Sequence, residues 1–141
     1  MTHYLLDTCI MSEYIKKKPN RKVIEWLNNL NENNLFISIL TLGELKKGIT
    51  KLKSSNLNRY NKLSFWIKTI EERFSQRILI LDNDIINIWA DICRNSESQG
   101  ITLPIIDSLI MATAKHHNLT IVTRNTVDFT CYSKIINPWE L

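Results

Sequence analysis

The sequence predicts an α/β fold in which a parallel sheet of four to five short strands is sandwiched by helices. Three observations lead to it. Short apolar runs alternate along the chain with longer segments of helical periodicity. Only three glycines and three prolines interrupt the 141 residues, so most of the chain is expected in regular elements. Apolar residues make up 44% of the chain, enough for a core without disulfides. We therefore expect one domain over residues 1–141.

The amino-terminal part is expected to begin with a short buried strand at His3–Leu6. A helix over Cys9–Lys17 follows, and Pro19 breaks it because proline cannot continue a helix. The next helix, Arg21–Leu30, has apolar residues at helical spacing on one side. The apolar run Leu35–Ser38 is a second strand.

Two amphipathic helices are expected in the middle of the chain, at Leu40–Leu52 and Arg59–Phe74. In the first of them, apolar side chains recur three or four residues apart and form one stripe: Leu42, Leu45, Ile49 and Leu52. A third strand follows at Arg77–Leu81.

The last part of the chain is expected to contain two helices and two strands. A helix covers Asp84–Ser98, and Gly100 follows it as a typical residue of a helix end. Leu103 and Pro104 begin a second helix that runs to His117. The strands are Thr120–Thr123 and Lys134–Ile136.

The chain is modestly basic, with 18 lysines and arginines against 14 acidic residues and a net charge of +4. Its basic residues gather between positions 16 and 22 and between positions 46 and 53. These clusters either bind a polyanion or are solvated helix ends, and the sequence leaves both interpretations open.

The cysteines and the apolar runs bear on the cellular compartment. Cys9, Cys93 and Cys131 lie far apart and lack the paired spacing of a metal site, which indicates free thiols in a reducing environment. No secretory signal is evident, and no apolar run is long enough to span a bilayer. We therefore expect a cytoplasmic protein without a membrane partner.

Acidic side chains fall where a parallel sheet has its functional crevice, outside the carboxyl ends of the strands. Asp7 directly follows the first strand, although the N-cap of the next helix is an equally ordinary role for it. Glu44 lies in the helix after the second strand, about 120° from the centre of the apolar stripe. The small Gly48 on the same side leaves room for a ligand, and an exposed helical glutamate is the alternative.

Asp107 is the most informative acid. It lies in the first turn of the helix after Pro104 and shares a face with Ile110 and Met111. A carboxylate in that position is expected to be largely buried, which is unfavourable unless a cation, a helix N-terminus or hydrogen bonds compensate. The alternative is an aspartate that interacts only with the helix dipole.

Two further candidates, Asn125 and Asp128, follow the fourth strand and are expected in a loop at the same edge. Converging carboxylates repel one another, so such a cluster persists when a hard cation neutralises it. Oxygen ligands favour Mg²⁺ or Mn²⁺, and these ions activate water and neutralise phosphoryl oxygens. Beside a basic surface, hydrolysis of a phosphodiester is the predicted chemistry.

Five segments resemble the PIN domains of VapC-type toxins, in that family's order and at its spacing, over nearly the whole chain. They are YLLDT at 4–8, FISILTLGELKKGI at 36–49, LPIIDSLIMATA at 103–114, LTIVTRNTVDF at 119–129 and NPW at 137–139. The resemblance implies a PIN-like fold and a Mg²⁺-dependent endoribonuclease that acts on transfer or ribosomal RNA.

The resemblance also implies partners. It implies a toxin that a cognate VapB-type antitoxin neutralises, and a homodimer within the toxin–antitoxin complex. The antitoxin would contact operator DNA through its own N-terminus, while its tail would fill the active site of the toxin. We expect this tail to insert an arginine or a lysine among the carboxylates, because a guanidinium binds two of them at once.

Residue roles follow from the resemblance by position. Asp7 and Asp107 would be direct metal ligands, and Glu44 would complete the metal site and orient or deprotonate the attacking water. Thr8 would hold a ligand or a substrate phosphate.

The chain departs from the family pattern at two positions. The family has a fourth acid just after the TR of strand four, where this chain has Asn125, so either Asn125 contributes as a neutral group or Asp128 substitutes for the acid. The family also has an asparagine after the DT pair, where this chain has Cys9, a poor hydrogen-bond donor.

Other functions remain open at this point. One is a housekeeping RNA-processing nuclease of the same fold, and another is a catalytically inactive binding module. A regulator that binds DNA directly is disfavoured because no convincing helix-turn-helix is present. The RNA target and the number of metal ions, one or two, are not indicated by the sequence.

Overall fold

The computed structural model describes all 141 residues and confirms the predicted parallel sheet. Its strands are β1 (Tyr4–Leu6), β2 (Leu35–Ser38), β3 (Ile78–Leu79), β4 (Thr120–Val122) and β5 (Ile135–Ile136). They lie in the order β3-β2-β1-β4-β5, and every neighbouring pair is parallel. The first strand of the chain is therefore the centre of the sheet.

Seven α-helices connect or follow the strands. They are α1 (Thr8–Glu13), α2 (Arg21–Asn28), α3 (Ile39–Ile49), α4 (Leu52–Ser55), α5 (Leu57–Arg73), α6 (Asn83–Ser98) and α7 (Ile105–His117). Short 3₁₀ turns cover Glu32–Asn34, Thr126–Phe129 and Pro138–Glu140. None of the helices has the length and apolar character needed to cross a membrane.

The helices cover both faces of the sheet, as predicted. Successive residues of a strand point to opposite faces, so Leu5 and Leu6 belong to different halves of the core. Leu6 packs with residues of α1, α2, α3 and α5 in a cluster of 13 buried side chains. Leu5 packs with residues of α7, and with Phe129, in a cluster of 7.

Capping side chains set three helix starts, each one or two residues before the predicted start. Ser38 accepts a hydrogen bond from the backbone N–H of Leu40 (3.0 Å), so α3 begins at Ile39. Asn56 accepts one from Arg59 (3.1 Å), so α5 begins at Leu57. Asp82 likewise accepts one from Ile85 (2.9 Å), and α6 begins at Asn83.

Two predicted helices are too long. The helix expected over Cys9–Lys17 ends at Glu13, because the Glu13 carboxylate, only 2% exposed, accepts the backbone N–H of Asn20 (2.6 Å) and draws the chain into a turn. The helix expected over Leu40–Leu52 divides at Thr50, whose hydroxyl donates to the Lys47 carbonyl (2.8 Å).

The third strand is also shorter than predicted, with two paired residues instead of the span Arg77–Leu81. The Arg77 guanidinium donates to the carbonyls of Glu32 (2.6 Å) and Leu35 (2.8 Å) and anchors the chain just before β3. The other boundaries agree with the prediction within two residues, and Gly100, with φ of 74°, follows α6 as expected.

Candidate active site

Asp7 stands between β1 and α1 and is only 6% exposed. One carboxylate oxygen accepts the backbone N–H of Thr8 (2.8 Å), so Asp7 does cap the helix. The other oxygen accepts the hydroxyl of Thr123 at the end of β4 (2.8 Å). Burial raises the pKa of Asp7 above its ordinary value, and the hydrogen bonds from Thr123 and Thr8 oppose that rise. Asp7 therefore caps α1, and this capping role does not exclude the predicted site role.

Thr123 is the residue that sequence reasoning missed. Its side chain is fully buried, and its oxygen accepts the backbone N–H of Asn125 (3.0 Å) while its proton goes to Asp7. Cys9 completes this network, since its sulfur accepts the backbone N–H of Arg124 (3.4 Å) and lies 3.6 Å from the Thr123 hydroxyl. The cysteine at the departure from the family pattern thus accepts from Arg124 and donates to the Asp7 carboxylate (3.9 Å).

Glu44 projects from α3 towards the same edge. Its carboxylate accepts the hydroxyl of Thr8 at 2.6 Å, a short contact that ties α3 to the first turn of α1. Gly48, one turn further along α3, has no atom within 4 Å of where a Cβ would stand. The predicted open space beside Glu44 is present.

Asp107 lies in the first turn of α7 and is half-buried, less enclosed than the sequence predicted. Burial and then the negative charges of Asp7, Asp128 and Glu44 raise the pKa of Asp107 to about 6. Asp7 follows β1, Asp128 lies in the turn after β4, and Glu44 contacts Thr8 next to Asp7, so these acids lie at the same edge of the sheet and act on Asp107 there.

The two candidates after β4 differ in placement. Asp128 is half-buried within the Thr126–Phe129 turn and belongs to the acidic cluster through its effect on Asp107. Asn125 is exposed, and only its backbone N–H, donated to Thr123, enters the network. The turn after β4 therefore brings Asp128, more than Asn125, to the cluster.

No cation of the protein compensates these four carboxylates, because every salt bridge in the molecule involves other acids. The donor set consists of carboxylate and hydroxyl oxygens, which suits a hard divalent ion. No three of these carboxylates all place an oxygen within 4.8 Å of one another, so an ion held here would keep several of its waters. The residues present therefore fit a divalent metal.

A second acidic group lies elsewhere, at the start of α6 and the end of α7. The ligand atoms of Asp82, Asp84 and His116 lie within 4.8 Å of one another, and all three residues are exposed. Asp82 already caps α6. This group could not be predicted from the sequence, because the three residues come together only where the ends of two helices meet.

Replacing Thr123 by valine tests how much the buried hydroxyl lowers the pKa of Asp7 and stabilises the fold. Valine keeps the shape but removes the hydrogen bond that lowers the carboxyl pKa, so the pKa of Asp7 should rise further. The protein should lose about 1–3 kcal/mol of stability at neutral pH, because a buried acceptor is left unpaired. Carbon-13 NMR titration of the Asp7 carboxyl and denaturant unfolding measure both effects.

Thr123→Ser is the matched control, since it keeps the hydroxyl and should leave the pKa of Asp7 close to that of the parent. If valine and serine variants titrate alike, Thr123 only fills space.

Comparison with known proteins gives a consistent result. A family model described as PIN domain matches residues 4–131. The chain is 34% identical over 138 residues to toxin FitB of Neisseria gonorrhoeae, covering 96% of this chain and 98% of that one. It is 30% identical over 139 residues to VapC ribonuclease Y4jK of Sinorhizobium fredii, covering 96% and 97%.

Among solved structures, the structure of FitAB bound to an IR36 DNA fragment contains a similar chain. The TM-score is 0.89 at 32% identity, over 98% of this chain and 96% of that one. Similarity over almost the full length of both chains includes every element that carries a candidate site residue.

Proposed function

The chain belongs to the PIN-domain family, and from that premise we propose that it is a metal-dependent endoribonuclease that hydrolyses phosphodiester bonds in RNA. The convergence of Asp7, Glu44, Asp107 and Asp128 on one sheet edge, without a cation partner, carries the proposal. We propose Mg²⁺ as the ion in the cell, with Mn²⁺ able to replace it.

The proposed roles rest on the similarity to the family. Asp7 and Asp107 would hold the ion, and Glu44 would complete the metal site and orient or deprotonate the attacking water. Asp128 supplies the fourth acid that Asn125 cannot, and Asn125 contributes its backbone N–H to the Thr123 network.

Thr8 orients Glu44 through their 2.6 Å hydrogen bond. A contact between Thr8 and a substrate phosphate requires its hydroxyl to leave Glu44 first. The bound ion supplies water activation and neutralises charge on the phosphoryl oxygens. The protein holds the carboxylates in place through buried contacts such as Thr123 to Asp7.

We further propose that the chain is the toxin of a toxin–antitoxin pair, acts on transfer or ribosomal RNA in the cytoplasm, and forms one domain over residues 1–141. Its partner would be a VapB-type antitoxin that reaches operator DNA, and the toxin would be a homodimer within that complex. The similarity to toxin FitB, and to a FitAB structure bound to DNA, supports this proposal.

Expression of the chain alone should arrest growth, and co-expression of its neighbouring antitoxin should restore it. The purified chain should cleave RNA with Mg²⁺ and lose that activity with a chelator, because both water activation and phosphate neutralisation need the ion. Sequencing of RNA ends after brief induction identifies the target.

The two alternatives give different results. Cleavage without growth arrest would indicate a housekeeping RNA-processing nuclease. Absence of Mg²⁺-dependent cleavage would indicate an inactive binding module and overturn the proposal.

A further inference from the structure

Glu44 lies where two surface grooves meet. One groove, of about 540 Å³, runs beside α3 from Ile106 at the start of α7 to Lys51. The other, of about 440 Å³, contains Thr8 and continues past Lys51 to Arg59 on α5. Glu44 and Lys51 line both grooves, so the two form one path that passes the Glu44 side of the acidic cluster.

A third groove extends this path. It has a volume of about 360 Å³ and shares Arg59 with the second groove, and it adds Lys17 and Lys62. The path therefore leads from the acidic cluster to both basic clusters of the sequence.

Five basic side chains line the three grooves: Lys17, Lys47, Lys51, Arg59 and Lys62. None of them forms a salt bridge, whereas Lys16 and Lys46, from the same sequence clusters, pair with Glu13 and Glu71. Glu44 is the one acidic residue along the path. The grooves thus collect unpaired positive charge that suits an anionic ligand.

The first groove also offers apolar surface next to this charge. Ile39 and Ile106 are 41% and 36% exposed along it. Gly43 and Gly48 leave it open, with no atom within 4 Å of either Cβ position. Exposed apolar surface beside unpaired cations suits a ligand that carries flat apolar groups on an anionic backbone, as a single strand of nucleic acid does.

We propose that a single strand of RNA follows this path across Glu44, with phosphates against Lys51 and Arg59 and bases packed on Ile39 and Ile106. The inference rests on the proposed function, because it places the substrate of that ribonuclease. An RNA strand in this position presents the phosphodiester bond next to Glu44 to the acidic cluster. The strand also contacts the protein on both sides of that bond.

The test measures binding of a labelled single-stranded RNA of about 12 nucleotides by fluorescence anisotropy, with a chelator present so that cleavage cannot interfere. The variant is Lys51→Glu with Arg59→Glu. The control is Lys68→Glu with Arg94→Glu, which makes the same change in net charge at exposed positions outside the grooves.

The groove variant should bind at least about tenfold more weakly than the control, and its salt dependence between about 50 and 200 mM should be shallower, since each lost phosphate contact removes roughly 0.7 from the slope. Equal weakening in both double variants overturns the path and indicates only a general charge effect. If the groove variant binds RNA like the parent but no longer binds the antitoxin, the proposed RNA path is also overturned, and the grooves are assigned to a protein partner.

A cleavage assay separates a failure of this inference from a failure of the proposed function. With Mg²⁺, the groove variant should show a raised KM on long RNA and an unchanged kcat. On a short oligonucleotide that spans only the cleaved bond it should match the parent. A parent that cleaves no RNA rejects the proposed function, while the binding comparison still decides the path.

Discussion

In the absence of metal, Asp107→Asn should be as stable as the parent protein or more stable, by about 0.5–2 kcal/mol at pH 7 after allowance for solvent screening of this half-buried group. The reason is the raised pKa of Asp107, about 6 in the folded protein against 3.8 for the ordinary group. Between these two pH values the folded state binds more protons than the unfolded state, so the stability of the parent should fall as pH rises from about 4 to about 6. Asparagine does not titrate, so the Asp107→Asn variant should lack this part of the decrease in stability with rising pH.

With metal, the parent should become the more stable of the two proteins. The proposed site would bind Mg²⁺ only in the folded state, so the parent should gain stability at millimolar Mg²⁺, and Asp107→Asn should gain much less. Its RNA cleavage should fall to background. Thermal melts at pH 5 and pH 7, with chelator and with Mg²⁺, measure the stability effects, and a cleavage assay measures the activity.

Asp91→Asn is the control, because Asp91 is an exposed aspartate of α6 and lies outside both acidic groups. It should change stability by less than about 0.5 kcal/mol, with an unchanged Mg²⁺ response and full activity. An Asp107→Asn variant that is slightly less stable than the parent without metal, and that keeps the Mg²⁺ response and the activity, would mean that Asp107 serves only the helix dipole, and the metal-site assignment would fail.

Phe129→Ala should destabilise the protein by about 3–5 kcal/mol and lower the Tm by on the order of 10 °C. Phe129 is fully buried in the cluster that includes Leu5 and residues of α7, and it directly follows Asp128. Alanine leaves a cavity there and frees the turn that carries Asp128. RNA cleavage should therefore fall even where the variant remains folded. Denaturant unfolding, with activity measured well below the Tm, separates the two effects.

Val127 gives the control within the same turn, since its side chain is 79% exposed. Val127→Ala should change stability by less than about 0.5 kcal/mol and leave cleavage unchanged. Phe129→Leu, which keeps most of the volume, should lie between the two. A Phe129→Ala variant as stable as the parent would show that the turn does not depend on this anchor.

Much of the fold could be predicted because it depends on local patterns. The short apolar run of β1, buried on both faces of the sheet, and the apolar stripes of the helices are properties of neighbouring residues. The errors occur where distant groups intervene. Glu13 ends α1 by binding the backbone of Asn20, and Arg77 holds the backbone of Glu32 and Leu35, so both boundaries depend on contacts that periodicity does not encode.

The candidate site divides in the same way. The candidacy of Asp7 follows from the rule that parallel strands bring their carboxyl ends to one edge, and that of Asp107 follows from its position among apolar residues in the first turn of a helix. The role of Thr123 does not follow from it, because a threonine at the end of a strand is ordinary in sequence and becomes a partner of Asp7 only when β4 pairs with β1. That Asp128, and not Asn125, brings its side chain to the acidic cluster likewise depends on the shape of one 3₁₀ turn.

The central position of β1 has a consequence for biosynthesis. The strand that leaves the ribosome first pairs on one side with β4, and its Asp7 contacts Thr123, 116 residues later in the chain. At about 5–20 residues per second, roughly 6–23 s of translation separate the two residues. During that interval Asp7 lacks its Thr123 partner and Asp128 has not been synthesised, so the acidic cluster does not yet exist. The proposed site can therefore act only once the chain is almost complete.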